Sequence, residues 1–171
     1  MTIRILTLNN PDQDMVYIDA VISLVERTQL ADAAPYLYSH KRGFFERNLS
    51  GETINFLALD GNKVIGYSAL RKMDPWPEYL ELGGHKPEEC CLMLFNLVDP
   101  DYRGLGIGKQ LSMARVASAR KARFRHLFAT VHPDNEYSVR ALSGLGFTVI
   151  AQQPMFSNLQ MRYLMHLNLP D

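Results

Sequence analysis

One stretch constrains the fold more than any other: Val98-Asp99-Pro100-Asp101-Tyr102-Arg103-Gly104-Leu105-Gly106-Ile107-Gly108-Lys109. It leaves an apolar strand pattern, passes three alternating glycines and enters a helical pattern. Glycines at alternate positions remove the side chains that would hold a ligand off the backbone, so successive N–H groups are free to point at one anionic group. No Ser, Thr, Asn or Asp stands immediately before the helix. Its first amides therefore lack the usual side-chain cap and are left to water or to a bound anion, which the helix dipole also favours.

Periodicity lays out the other elements. Residues 2–8 read as a strand, and Pro11-Asp12 opens a helix with Met15, Ile18, Ile22 and Val25 on one face. A second helix is expected from about Pro35 to Arg47, carrying Leu37, Phe44 and Phe45. Asp60-Gly61-Asn62 turns a hairpin between strands 54–60 and 63–72, and a Pro-, Gly- and aromatic-rich loop fills 73–87. Strand 88–98 precedes the glycine turn, whose helix runs to about Lys121 and is expected to pack through Ile107, Leu111, Ala114 and Ser118. A strand at 125–131, a short helix at 134–143 and a strand pair at 147–152 and 160–167 complete the chain.

Spacing selects among glycine loops. A nucleotide P-loop needs four residues between its first glycine and Gly-Lys-Ser/Thr; Gly104 to Gly108 leaves three, and Gln110 follows Lys109. The dinucleotide fingerprint needs a glycine where Lys109 stands. What remains is Arg-x-x-Gly-x-Gly, formed by Arg103, Gly106 and Gly108 after a strand ending in Val98-Asp99-Pro100. This resembles the coenzyme A pyrophosphate loop of the GNAT superfamily of N-acetyltransferases. Asn135, Ser138 and Gly146-Phe147 match that family's later pattern, and residues 55–70 look like its central hairpin. The resemblance covers about residues 54–150; a plain glycine-rich turn is the alternative.

The resemblance implies an α/β fold in a single domain, 1–171. Its centre would be a mixed, mostly antiparallel sheet of about seven strands, splayed in the middle, with about four helices on its two faces. It implies transfer of an acetyl group from acetyl-CoA to a primary amine by direct attack in a ternary complex. Asn96, Leu97 and Val98 would line the thioester arm, with a bulge aiming an N–H near Val98 at the carbonyl. Arg103, Gly104, Leu105, Gly106, Ile107, Gly108 and Lys109 would hold the pyrophosphate. Asn135 would reach the pantetheine amides, although a residue at a helix start also serves as a simple cap.

The acid and base depart from the family. The position where many members carry a thiolate-protonating Tyr is Leu142, and Tyr137 is rotated away from it on the helix. Two usual base positions are Leu92 and Thr130. His132 shares strand parity with Thr130 and imidazole is a common proton acceptor, so it is the candidate base; a histidine before Pro133 also simply ends a strand. Glu88, Glu89 and Tyr163 are further candidates, and alignment with ordered water is the remaining route.

Composition bounds the partners. Lys plus Arg equals Asp plus Glu at 18 each, so no net field draws the chain to nucleic acid or a membrane. No apolar run reaches a membrane span, no signal sequence is read at the start, and a cytoplasmic monomer or homodimer without a metal is expected. Cys90 and Cys91, as neighbours on a strand, point to opposite faces and read as buried thiols. The resemblance implies that the acceptor amine binds among residues 28–40, 73–87 and 151–160, where Asp32, Asp74, Glu78 and Glu81 would attract a cation and Tyr36, Trp76 and Tyr79 would supply walls. Two other functions stand beside this one: an acyl-CoA-binding domain with a sensing or structural role, and a nucleic-acid or partner module using Arg115, Arg120, Lys121, Arg123 and Arg125.

Overall fold

The computed structural model describes residues 2–32, 36, 40–73, 77 and 84–170. Strands β1 (Ile3–Leu8), β2 (Thr53–Asp60), β3 (Lys63–Lys72), β4 (Cys90–Val98), β5 (His126–Val131), β6 (Thr148–Met155) and β7 (Gln160–Asn168) form a mixed sheet in the order β1-β2-β3-β4-β5-β7-β6. The helices are α1 (Pro11–Asp14), α2 (Ile18–Asp32), α3 (Arg42–Arg47), α4 (Ile107–Lys121) and α5 (Glu136–Ser143). The chain divides into two units, one of Met1–Arg71 with Phe95–Val116 and one of Lys72–Leu94 with Ala117–Asp171.

In the first unit, β2 lies antiparallel between β1 and β3, and both β2 and β3 are almost wholly buried, as strands covered on two faces must be. Leu57, Leu59 and Tyr67 join Val21, Leu24 and Val25 of α2 and Phe45 of α3 in one apolar cluster. The buried face of α2 is Ile18, Val21, Leu24 and Val25, rotated slightly from the expected stripe. On the side of Gly66, α4 comes close: a Cβ there would lie 3.1 Å from Leu111 Cδ1 and 3.2 Å from Ile107 Cγ2. Glycine is needed at that point so that the first turn of α4 can rest on the strand.

The helix expected from Pro35 starts at Arg42. Lys41 is extended (φ −79°, ψ 161°), which stops a helix from running through it, and residues 33–35 and 37–39 lie outside the described residues. Along α4 the buried residues are Ile107, Leu111, Ser112, Arg115 and Ala119, while Ala114 and Ser118 are half-exposed. The Arg115 side chain is 2% exposed, so it does not belong to the basic surface expected with Arg120, Lys121, Arg123 and Arg125. Its Nη2 donates to Ser112 Oγ at 3.0 Å and its Nη1 to the Phe95 carbonyl at 3.4 Å. Burial pushes its guanidinium down, to about 9.

In the second unit, β5 pairs antiparallel with β7, which pairs antiparallel with β6. Met73, Cys90, Leu92, Phe128, Met155 and Leu164 make the core of this unit. Both cysteines are fully buried, as expected, and burial raises both thiols, Cys90 to about 11. The parallel β4–β5 register runs from Cys90↔His126 to Met93↔Ala129, whereas β4 itself continues to Val98 and β5 to Val131. Burial along β4 changes at the same place, from Cys90–Met93, all buried, to Leu94–Asn96, which are half-buried or exposed. The pairing therefore ends before either strand does. Among the described residues no helix is long and apolar enough to cross a membrane.

Candidate functional site

The glycine turn begins on a pinned strand end. The Asp99 N–H donates to the Ile65 carbonyl at 2.8 Å, and its carboxylate, 1% exposed, accepts from the Asp101 N–H at 3.2 Å. Asp99 Oδ2 also lies 3.1 Å from Arg27 Nη2 and 3.2 Å from Lys63 Nζ. Burial opposes ionisation of this carboxyl, but the Asp101 amide, Lys63 and Arg27 outweigh it and hold it below the usual carboxylate range. Tyr102 closes the arrangement: its hydroxyl donates to Asp60 Oδ2 at 3.3 Å, and Lys63 Nζ sits 4.8 Å from its ring centroid.

Beyond this anchor the chain opens. Gly104 and Gly106 have φ of +80° and +74°, a region that favours glycine, and a Cβ at either would meet nothing within 4 Å. These glycines therefore serve the backbone path and leave the face of the turn clear. Helix α4 starts at Ile107, and the residue before it, Gly106, has no side chain with which to cap. The Gly106 carbonyl takes the Gln110 N–H at 3.0 Å, which leaves the amides of Ile107, Gly108 and Lys109 among those with no partner inside the helix. Leu105, Arg103 and Lys109 are exposed around them. The strand side is tied down by Asn96, whose Nδ2 donates to the Gly108 carbonyl at 3.0 Å and to Ser112 Oγ at 3.2 Å. Leu97 is buried in the core and Val98 is half-buried, so any part they take in binding is through their backbone. The turn thus fits a diphosphate by its donor set: clustered N–H groups, a helix N-terminus and two flanking cations.

In the second unit, the turn from β5 to α5 is built the other way. His132 Nδ1 accepts the Asp134 N–H at 3.2 Å and lies 3.9 Å from Asp134 Oδ2, while the His132 carbonyl takes the Asn135 N–H at 3.0 Å. Asn135 is the N-cap of α5, its Oδ1 accepting the Ser138 N–H at 3.2 Å. Its Nδ2 donors are not part of that cap. Leu142 is half-buried, and Tyr137 is 72% exposed on the surface. Tyr163 pairs with Val131 at the end of the β5–β7 ladder, and Glu88 and Glu89 sit in the turn that leads into β4.

Three groups escaped the sequence reading. Arg27 and Lys63 reach Asp99 from 72 and 36 positions away, and nothing in their local patterns marks them. Arg115 carries the signal of a surface arginine and is buried. Of the acceptor candidates, Asp74, Trp76, Glu78, Tyr79 and Glu81, with the side chain of Asp32, lie outside the described residues; Tyr36 is half-buried.

The family model described as acetyltransferase (GNAT) family matches residues 18–147, and the chain belongs to that family. It is 30% identical over 93 residues to mycothiol acetyltransferase from Geodermatophilus obscurus, covering 54% of this chain and 28% of that relative's length. Its fold is similar to an N-acetyltransferase from Staphylococcus aureus Mu50 (TM-score 0.75, 18% identity, 99% of this chain and 100% of that one). It is also similar to the PaiA N-acetyltransferase from Thermoplasma acidophilum in complex with coenzyme A (TM-score 0.70, 14% identity, 99% and 100%).

Proposed function

We propose that this chain catalyses transfer of an acetyl group from acetyl-CoA to a primary amine, by direct attack within a ternary complex in the cytoplasm. The observation that carries the reading is the start of α4 at Ile107, behind Gly106, which has no side chain to cap with, in a turn whose face two left-handed glycines keep clear. Bound acetyl-CoA would supply a thioester carbonyl whose thiol, with an ordinary pKa of about 8.5, leaves as the thiolate with little help. The turn holds the diphosphate through backbone N–H groups, with Arg103 and Lys109 beside it. Backbone groups of Asn96, Leu97 and Val98 orient the arm, and Asn135 donates from Nδ2 while Oδ1 keeps its cap.

An ammonium group cannot attack, so a proton must leave first. His132 is the acceptor in this reading. While Nδ1 takes the Asp134 amide, the neutral ring carries its proton on Nε2 and is no base there. Exchanging the Asp134 amide for the Asp134 carboxylate as the partner of Nδ1 would move the ring proton to Nδ1 and make Nε2 the accepting nitrogen. The carboxylate then faces the imidazolium that forms.

The test is release of free thiol from acetyl-CoA in the presence of an amine panel, alongside thermal shift with acetyl-CoA alone. Melting should rise with the thioester, and thiol release should depend on one class of amine. A rise in melting without turnover across a broad panel would favour an acyl-CoA-binding role, and no rise at all would end both readings.

A further inference from the structure

Three histidines that the proposed reaction does not use come together in the second unit. His126 opens β5 and His166 lies in β7, where the register sets Phe128 opposite His166 and His126 opposite Asn168. The two imidazoles therefore stand diagonally on one face of a fixed ladder, with His126 Nδ1 3.1 Å from His166 Nε2. His85 reaches them from the segment before β4. Its ring stacks on His126 with centroids 3.5 Å apart and lies 5.3 Å from His166. One nitrogen from each ring falls within 4.8 Å of the other two, and all three residues are half-buried. No carboxylate or thiolate joins the group among the described residues; the neighbouring Cys90 thiol is directed at the Lys86 carbonyl, 3.1 Å away.

We propose that His85, His126 and His166 bind one borderline divalent cation of the Zn²⁺ class through three imidazole nitrogens, with water in the fourth position. Neutral imidazole is a good ligand for such ions and a poor one for Mg²⁺ or Ca²⁺. Tetrahedral Zn²⁺ with Zn–N bonds of about 2.0–2.1 Å sets its nitrogens roughly 3.4 Å apart. The His126–His166 pair is already near that spacing. Stacked rings present their lone pairs side by side, so His85 must swing for all three to converge. It follows Gly84, at φ +86° with open space around it, in a segment free of the sheet ladder. The ion would clip the chain before β4 to two rigid strands, and its contribution would be to stability.

The test uses the full chain, stripped with chelator and dialysed. Co²⁺ should bind at one equivalent with the intense visible absorption of tetrahedral coordination, and Zn²⁺ should displace it. Zn²⁺ at a hundredfold excess over its Kd should raise Tm by roughly 5–10 °C. His85→Gln should weaken Zn²⁺ at least about tenfold, since loss of a mere outer partner often costs that much, while leaving the metal-free Tm unchanged. His166→Gln should do the same to affinity, and His132→Gln should leave it intact. Failure to bind one equivalent, or equal affinity in His85→Gln and the parent, would overturn the site and leave a stack of neutral rings. None of these readouts depends on acetyl transfer.

Discussion

Two strand-to-helix turns in this chain solve the same problem in opposite ways. Where β4 passes into α4, the chain spends its side chains upstream, at Asp99 and Tyr102, and then starts the helix behind Gly106, which has no side chain to cap with. Where β5 passes into α5, His132 and Asn135 satisfy the amides of Asp134 and Ser138 from within. Helix starts always leave donors over, so the contrast lies in who accepts them. A turn that caps itself is finished; a turn that withholds its caps has room for an anion.

The sharpest way to break this contrast is Gly106→Glu, which sets a negative side chain in the clear space that the proposed function assigns to an anion. Acetyl-CoA affinity by calorimetry should fall at least about 100-fold, because a like charge is added as the αL backbone is strained by about 1–2 kcal/mol. Gly106→Asn, which tolerates that backbone far better, should keep most of the affinity. Retained binding in the glutamate variant would mean that the open turn is not the anion site.

His132→Asn addresses the self-capped turn. Asparagine can still accept the Asp134 amide, so the turn survives, but it cannot take up a proton. Turnover should drop about tenfold or more, with KM for acetyl-CoA little changed. Unaltered turnover would leave His132 as a turn residue only.

Asp99→Asn loosens the anchor that makes the open turn possible. The folded-state carboxyl is held below its unfolded value of about 3.9, so its contribution is complete above that pH and is lost as the pH falls through the folded-state value. Chemical denaturation at pH 7 should show a loss of about 1–2 kcal/mol, at the low end because Arg27 and Lys63 remain partly exposed. Parent and variant should converge in strong acid. A difference that persisted there would have to come from packing instead of charge.

What could be read from the sequence was what is local. The glycine spacing, the missing cap before Ile107 and the hairpin at Asp60-Gly61-Asn62 depend on residues a few positions apart, and each stands where it was expected. The cations around Asp99 and the His85–His126–His166 group depend on which strands become neighbours, and hydrophobic period carries no record of that. Arg115 differs for another reason. Helical period alone runs the apolar stripe of α4 through Ala114 and Ser118, and arginine is almost never buried, yet the Arg115 guanidinium turns inward to the Phe95 carbonyl. The late start of α3 has a similar origin, since apolar periodicity does not register that Lys41 is extended.

The smallest expected effect bears most directly on whether the two turns differ in kind. Asn135 uses Oδ1 for its cap, so Asn135→Asp and Asn135→Ser should keep α5 intact, whereas Asn135→Ala should cost about 1 kcal/mol. Aspartate and serine both remove the amide donor at Nδ2. If that donor meets a ligand carbonyl, KM for acetyl-CoA should rise about two- to tenfold in both variants while Tm stays put, since a single neutral hydrogen bond is worth about 0.5–1.5 kcal/mol. Unchanged KM in both would make Asn135 a cap alone and leave the glycine turn as the ligand-facing one of the pair. A rise in both would show that a residue can finish a helix with one atom and hold a ligand with the next, so that self-capping does not exclude a turn from the site.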